Sequence, residues 1–127
     1  MRRVKRNNTG PEKAVRRILW ALGYRFVTHS KSLPGTPDIV FTRKRKVVFV
    51  HGCFWHAHAG CPRATIPKTH SLFWQSKLDR NRERDIRVSD ALRAGGWDVF
   101  VVWECELQDS SDLERRLADF LGPTRTP

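Results

Sequence analysis

Apolar positions along the chain change period several times, and each change marks an element. Val15, Ile18, Leu19 and Leu22 lie on one helical face. Thr9 stands ahead of them as a cap, Pro11 suits the first turn, and Glu12 completes a T-x-x-E capping box. Gly23 ends the helix. Tyr24–His29 then alternates like a strand, and Leu33-Pro34-Gly35-Thr36-Pro37 is a turn-rich loop. Asp38–Thr42 reads as a short apolar strand, Arg43-Lys44-Arg45-Lys46 as a charged hairpin tip, and Val47–Val50 as a more buried strand. From His51 to His70 no period holds, so something other than a core must organise that loop. Leu72–Ala94 predicts a long helix closed by Gly95-Gly96. Trp97–Trp103 is an apolar strand long enough to be central. Ser110-Ser111-Asp112 caps a last helix that turns Leu113, Leu117, Phe120 and Leu121 inward. The expected order is α-β-β-β-α-β-α in a single domain over 1–127. A basic arm is expected at 1–8 and a frayed tail at 123–127.

Charge narrows the class of partner. Lys and Arg total 24 against 13 Asp and Glu, a formal net charge of +11. Such an excess calls for an acidic partner, and nucleic acid is the default because phosphates reward Lys and Arg through counterion release. A merely soluble basic protein is the bland alternative. An anionic membrane surface fits less well, for no basic helix carries a broad apolar face. No apolar run approaches the roughly 20 residues that span a bilayer, and none follows the basic start as a signal peptide would require. The expectation is a soluble cytoplasmic protein. Three cysteines do not suit a closed disulfide framework, and two of them lie among histidines, as in a metal site of a reducing compartment.

Two sets of residues carry candidate chemistry. Cys53-x4-His58-x2-Cys61 places three soft or borderline donors in the aperiodic loop, and Cys105 lies just beyond the last strand. Zinc takes four such donors in a tetrahedron, and a Cys3His site would replace the core that the loop lacks. Cys105 as an ordinary buried thiol, and His56 in place of His58, remain open alternatives. The second set is Asp38, which follows Pro37, and His51, which follows the next strand. An aspartate at a strand end can hold Mg²⁺. His51 and His56 can polarise or deprotonate water. Glu12 is either the capping-box residue or a further group at the same place, and Asp38 is either a ligand or a turn residue. His29 and His70 carry no signal and read as solvated or structural. In the long helix Leu78, Val88 and Leu92 share a face with Asn81 and Asp85, polar groups that need internal partners or a cleft. Trp74 and Lys77 near its start suit nucleic-acid contact, although Phe73 and Trp74 would equally serve a core.

These blocks resemble a known family. Leu33-Pro34-Gly35-x-Pro37-Asp38, Phe49-x-His51-Gly52-Cys53-Phe54-Trp55-His56, Phe73-Trp74-x-x-Lys77-x-x-x-Asn81, Glu83-Arg84-Asp85 and Val102-Trp103-Glu104-Cys105 are similar, in this order, to the very-short-patch-repair (Vsr) mismatch endonucleases. The resemblance runs from about Glu12 to the last helix. It implies an α/β, restriction-endonuclease-like (PD-(D/E)XK-type) fold, a central mixed sheet flanked by helices with a structural zinc site. It implies a monomeric, Mg²⁺-dependent hydrolase that nicks one strand of duplex DNA 5′ to the thymine of a T·G mismatch, the kind that arises when 5-methylcytosine deaminates, in a bacterial nucleoid. Asp38 and the main-chain carbonyl of Val50 would hold Mg²⁺, and His51 and His56 would be the active-site histidines, with His56 as general base and Glu12 nearby. Cys53, His58, Cys61 and Cys105 would hold Zn²⁺. Phe54, Trp55 and Trp74 would form an aromatic wedge beside the mismatch, and Lys77 and Asn81 would meet the mismatched pair.

The chain departs from the pattern at a few positions. Val50 replaces the threonine of better-known members, which leaves only a main-chain carbonyl there. One extra residue separates His58 from Cys61 and predicts a bulge. Ala57, Ala59 and Gly60 thin the histidine-rich run, and the N-terminal arm is short. Two other readings compete: a Vsr-like site-specific nickase or restriction-type enzyme on matched DNA, and a zinc-stapled DNA-binding module without catalysis. The last leaves Asp38, His51 and His56 without a role.

Overall fold

In the computed structural model, residues 9–124 are described; the expected basic arm and the last three residues of the expected tail lie outside them. The element order is the predicted one. Helix α1 (Gly10–Ala21) is followed by strands β1 (Val27–Thr28), β2 (Ile39–Phe41) and β3 (Lys46–His51). Helix α2 (Ser71–Ala94), strand β4 (Asp98–Trp103) and helix α3 (Ser110–Leu121) complete it, with short 3₁₀ turns at Pro62–Ala64 and Glu104–Gln108. Thr9 caps α1 by accepting from the Glu12 N–H at 3.3 Å.

The four strands form one mixed sheet in the order β1-β2-β3-β4, antiparallel at the first two junctions and parallel at the third. The parallel pair requires a crossover, which α2 supplies. Helices cover both faces. Val15 and Leu19 of α1 and Leu113, Leu117 and Leu121 of α3 pack with Ile39, Phe41, Val48 and Val102 on one face. Leu92 of α2 packs with Val40, Val47 and Phe49 on the other. Because side chains alternate along a strand, β3 sends Val48 and Val50 toward α1 and α3, and Val47, Phe49 and His51 toward α2.

Three expectations need correction. The last strand is not central: β4 stands at the edge of the sheet, with only β3 paired to it among the described residues. Its apolar run comes from cover on both faces, Phe100 and Val102 against one cluster and Val99 and Val101 against the other. The first strand is two residues long, not six. Its first residues serve the core instead: Tyr24 is buried and its hydroxyl donates to the Gly122 carbonyl, while His29 ends the strand in a left-handed conformation at φ 49°. The cap of α3 is Asp109, whose Oδ1 accepts from the Asp112 N–H at 3.2 Å, one residue ahead of the serines expected to cap it.

Candidate metal and nucleic-acid site

Parallel pairing decides where the chemistry gathers. His51 lies opposite Trp103 at the C-terminal ends of β3 and β4, so the segment after β3 meets the segment after β4. Crevices beyond the carboxyl ends of parallel strands are common ligand sites because two chains leave the sheet there side by side. Three groups of metal-competent side chains surround this end: Cys53, His58, Cys61 and Cys105; His51, His56 and Asp85; and Glu12, His29 and Asp38. In each group the donor atoms lie within 4.8 Å of one another.

In the first group, the loop is wound by short turns, with His56 N–H to Gly52 O at 3.2 Å and His58 N–H to Cys53 O at 2.9 Å. The residue added between His58 and Cys61 is taken up in a turn closed by the Cys61 N–H on the His58 carbonyl at 3.3 Å. Gly60 occupies its third position at φ 71°, a conformation that glycine adopts without penalty. The four donors expected together do come together. His58 Nδ1 lies 3.5 Å from Cys105 Sγ, close to the separation of about 3.5 Å that a tetrahedron with Zn–S of about 2.3 Å and Zn–N of about 2.0 Å requires. His56 does not compete for this place, because its Nδ1 faces Asp85. Trp103 holds the His58 ring by a parallel stack at 4.1 Å. Burial, reinforced by the adjoining thiols, pushes the Cys53 thiol up to about 12. At Cys61 burial works upward too, but hydrogen bonds from the Arg63 N–H and the neighbouring thiols bring the value below its ordinary range. Three crowded thiols resist joint ionisation unless a cation binds them.

The second group lies on the α2 face. His51 and His56 stack at 3.8 Å with their planes 5° apart. Asp85 Oδ2 is 2.7 Å from His56 Nδ1. A carboxylate only accepts, so Nδ1 carries a proton, and in the neutral ring Nε2 is the free acceptor. Burial first, then the neighbouring His56, lowers the His51 value to about 4, so His51 is neutral at physiological pH. Its Nδ1 is buried with no hydrogen-bond partner among the described residues. A cleft of about 380 Å³ opens here, lined by His51, His56, Arg82, Asp85, Arg93 and Trp103 among others. A larger cavity of about 610 Å³ lies at the far end of the sheet near Tyr24, Phe41 and Lys44. No acid or histidine lines it, so it lacks the groups for hydrolysis.

The third group lies on the α1 face. Glu12 is buried in α1, and its Oε2 is 2.9 Å from His29 Nε2. Asp38 Oδ2 accepts from the Val50 N–H at 2.7 Å. Burial raises the Asp38 value to about 6, with Glu12 adding to the rise and the Val50 N–H opposing it. Besides any turn or capping part, the two acids lie in one cluster with His29. Asp38 and Glu12 fall in that cluster and His51 in another. The charge of His56, which stacks on His51, also reaches Asp38. His29, read from sequence as solvated or structural, joins the acids, and nothing in its local pattern marked it.

The aromatic residues sit beside these groups. Phe54, Trp55 and Trp74 form a mutual cluster with ring centroids 5.2–5.9 Å apart. Phe73 is 57% exposed and Leu72 86%, so the start of α2 is not core. Lys77 Nζ stands 5.4 Å from the centre of the Trp55 ring. Asn81 donates to the Trp55 carbonyl at 3.1 Å. The polar residues on the apolar stripe of α2 thus find partners in the 51–58 loop, Asn81 at Trp55 and Asp85 at His56.

Comparison with known proteins assigns the family. The sequence profile of the DNA mismatch endonuclease Vsr matches residues 1–63. The DNA mismatch endonuclease Vsr of Escherichia coli is 41% identical over 113 residues, 89% of this chain and 72% of that protein. The chain belongs to the Vsr family. Other Vsr-like relatives carry the name of nicking enzymes. The Type II nicking enzyme V.XorIIP of Xanthomonas oryzae pv. oryzae is 54% identical over 124 residues, 98% of this chain and 90% of its own length. The Type II nicking enzyme V.NmeAIP of Neisseria meningitidis serogroup A is 41% identical over 117 residues, covering 92% and 83%. The profile match takes in Glu12, Asp38, His51, Cys53 and His56, and the similarity to V.XorIIP continues through α2 and β4 to Asp85 and Cys105.

Proposed function

We propose that this chain is a DNA mismatch endonuclease that nicks one strand of duplex DNA beside a T·G pair by Mg²⁺-dependent hydrolysis. One observation carries the reading in this Vsr-family chain: the acid cluster of Asp38 and Glu12, the His51–His56–Asp85 cluster and the aromatic trio all adjoin the same end of β3. The fold is of the restriction-endonuclease-like PD-(D/E)XK type. Carboxylate oxygens suit a hard cation, and the acid cluster fits one: Asp38 would hold Mg²⁺ together with the Val50 main-chain carbonyl. Such a cation supplies acidity to bound water and offsets charge on the phosphoryl group. The second group fits a general base. Asp85 orients His56 so that Nε2 accepts the proton of the attacking water. His51, neutral and stacked on His56, fixes the plane of that ring.

The Cys3His group fits Zn²⁺, which fastens the loop that carries both the base and the aromatic residues. Phe54, Trp55 and Trp74 form the wedge, and Lys77 and Asn81, set behind Trp55, meet the exposed base edges. A T·G wobble stacks poorly, so opening it costs less than the few kcal/mol of a matched step. The protein acts as a monomer at the nucleoid. The test is a nicking assay with Mg²⁺ on a panel of mismatched and matched duplexes. Single-strand cleavage of the T·G duplex, lost in Asp38→Ala, is expected. A T·G duplex left uncut, and bound no better than matched DNA, overturns the proposal.

A further inference from the structure

His29 has no place in the proposed reaction, yet its side chain is largely buried against the acid cluster. Two features tie it there. Its backbone N–H donates to the Asp38 carbonyl at 3.2 Å, which couples its position to the main chain of the metal-binding aspartate. Its φ of 49° is left-handed, a conformation that costs a non-glycine residue roughly 1 kcal/mol or more. The fold maintains this cost at the residue whose imidazole enters the cluster.

The spacing suits a ligand. Two donors each about 2.1 Å from one ion, at a right angle, stand about 3.0 Å apart. His29 Nε2 and Glu12 Oε2 are 2.9 Å apart, and a donor atom of Asp38 lies within 4.8 Å of both. An ion pair between Glu12 and a charged imidazole gives the same distance, so distance alone does not separate ligand from counter-ion. The donor set is nonetheless one that a transition metal accepts, and a metal–nitrogen signal separates the two. Glu12, His29 and Asp38 offer two carboxylates and one imidazole. Mg²⁺ favours oxygen ligands and retains its waters, whereas imidazole suits transition metals.

We propose that His29 is a nitrogen donor of the metal pocket that holds Asp38, Glu12 and the Val50 main-chain carbonyl, and that its nitrogen biases the pocket toward Mn²⁺ and Co²⁺ over Mg²⁺. This rests on the metal-dependent reading of that pocket, and its test reads metal binding rather than cleavage. Zinc-loaded protein is titrated with Mn²⁺ and examined by pulsed electron paramagnetic resonance for nitrogen hyperfine coupling. Coupling to ¹⁴N is expected in the unsubstituted protein, replaced by a ¹⁵N signature when histidine is supplied as the ¹⁵N isotopologue. His29→Asn, chosen because asparagine tolerates left-handed φ, should lose the coupling while keeping zinc content and unfolding midpoint. His51→Gln and His56→Gln should retain it, which excludes the other cluster as its source. In calorimetry Mn²⁺ affinity should fall about tenfold or more in His29→Asn, and Mg²⁺ affinity by much less, because only the softer ion loses a preferred donor. Bound Mn²⁺ without nitrogen coupling, coupling that survives in His29→Asn, or no Mn²⁺ binding would each overturn the proposal. A protein that shows His29 coupling but leaves T·G duplex uncut contradicts the proposed cleavage and leaves this site standing.

Discussion

Asp38 and His51 belong to two neighbouring clusters, and burial displaces both from their ordinary titration range. The Asp38 carboxyl moves from 3.8 to about 6. The folded chain therefore holds more protons than the unfolded chain in that window, and stability falls as pH rises through it. His51 moves from 6.5 to about 4. Here the unfolded chain takes up the proton first, so stability is lost as pH falls through that window. The two effects nearly cancel between about pH 4 and 6 in metal-free protein. Asp38→Asn removes the first and exposes the second. Asparagine can still accept from the Val50 N–H, so the variant should be more stable than the parent above pH 6, by at most about 3 kcal/mol for a shift near two units. Its stability should fall monotonically with acid below pH 6. Urea unfolding at a series of pH values, with zinc present and other metals removed, measures this. Equal or lower stability of Asp38→Asn at pH 7 would show that the carboxylate charge does not strain the fold. Such destabilisation at a functional acid is a common cost of a prepared site.

Among the elements, α2 departs most from ordinary helix design. Of its 24 residues only Leu78 and Leu92 are fully buried. The C-terminal part packs Val88 and Leu92 on the sheet, while the N-terminal part faces the 51–58 loop through Lys77, Asn81 and Asp85. Val88 also meets the loop that leads to Asp38. Gly35 there has φ 72°, and a Cβ added to it would fall 2.4 Å from Val88 Cγ1. Gly35→Ala should therefore destabilise by about 1–2 kcal/mol from the left-handed backbone alone, with a further steric term. Adding Val88→Ala should recover only the steric part, since truncation relieves the clash but not the backbone. Denaturation of the single and double variants separates the two terms; a Gly35→Ala protein as stable as the parent would refute the close approach. The helix was legible from its length and glycine stop, and its two polar positions already pointed to partners or a cleft. The edge position of β4 was not legible, because an apolar run reports cover on two faces and says nothing of neighbours in the sheet.

For the whole molecule, the Cys3His group joins two distant parts of the chain. Cys53, His58 and Cys61 follow β3, and Cys105 follows β4 after the whole of α2. The loop between them buries little: Cys53 is its one fully buried residue from Gly52 to His70. Zinc at this group would do the work of a core there. Cys53→Ala should thus lose zinc, thermal stability and nicking together, as read by metal analysis, calorimetry and the nicking assay. A Cys53→Ala protein that kept all three would break the coupling. No helix among the described residues is long and apolar enough to cross a membrane.

The sequence alone determined the order of elements, the helical faces, the basic character and the sets of donor residues, because these follow from local period, capping chemistry and composition. Spacing made Cys53, His58 and Cys61 a plausible set and left His56 as a rival. Family resemblance supplied roles for Asp38, Glu12, Trp55 and Asn81 that periodicity could not. Only the tertiary structure decided which donors meet. The packing of α2 brought Asp85 to His51 and His56, the pairing of neighbouring strands brought Asp38 to the Val50 N–H, parallel register brought Cys105 to Cys53, and a left-handed turn brought His29 to Glu12. Each is a long-range contact. Residues such as His29 and Asp38, or His56 and Asp85, become neighbours only once separate elements have packed, and no local pattern in the chain records which of them will touch.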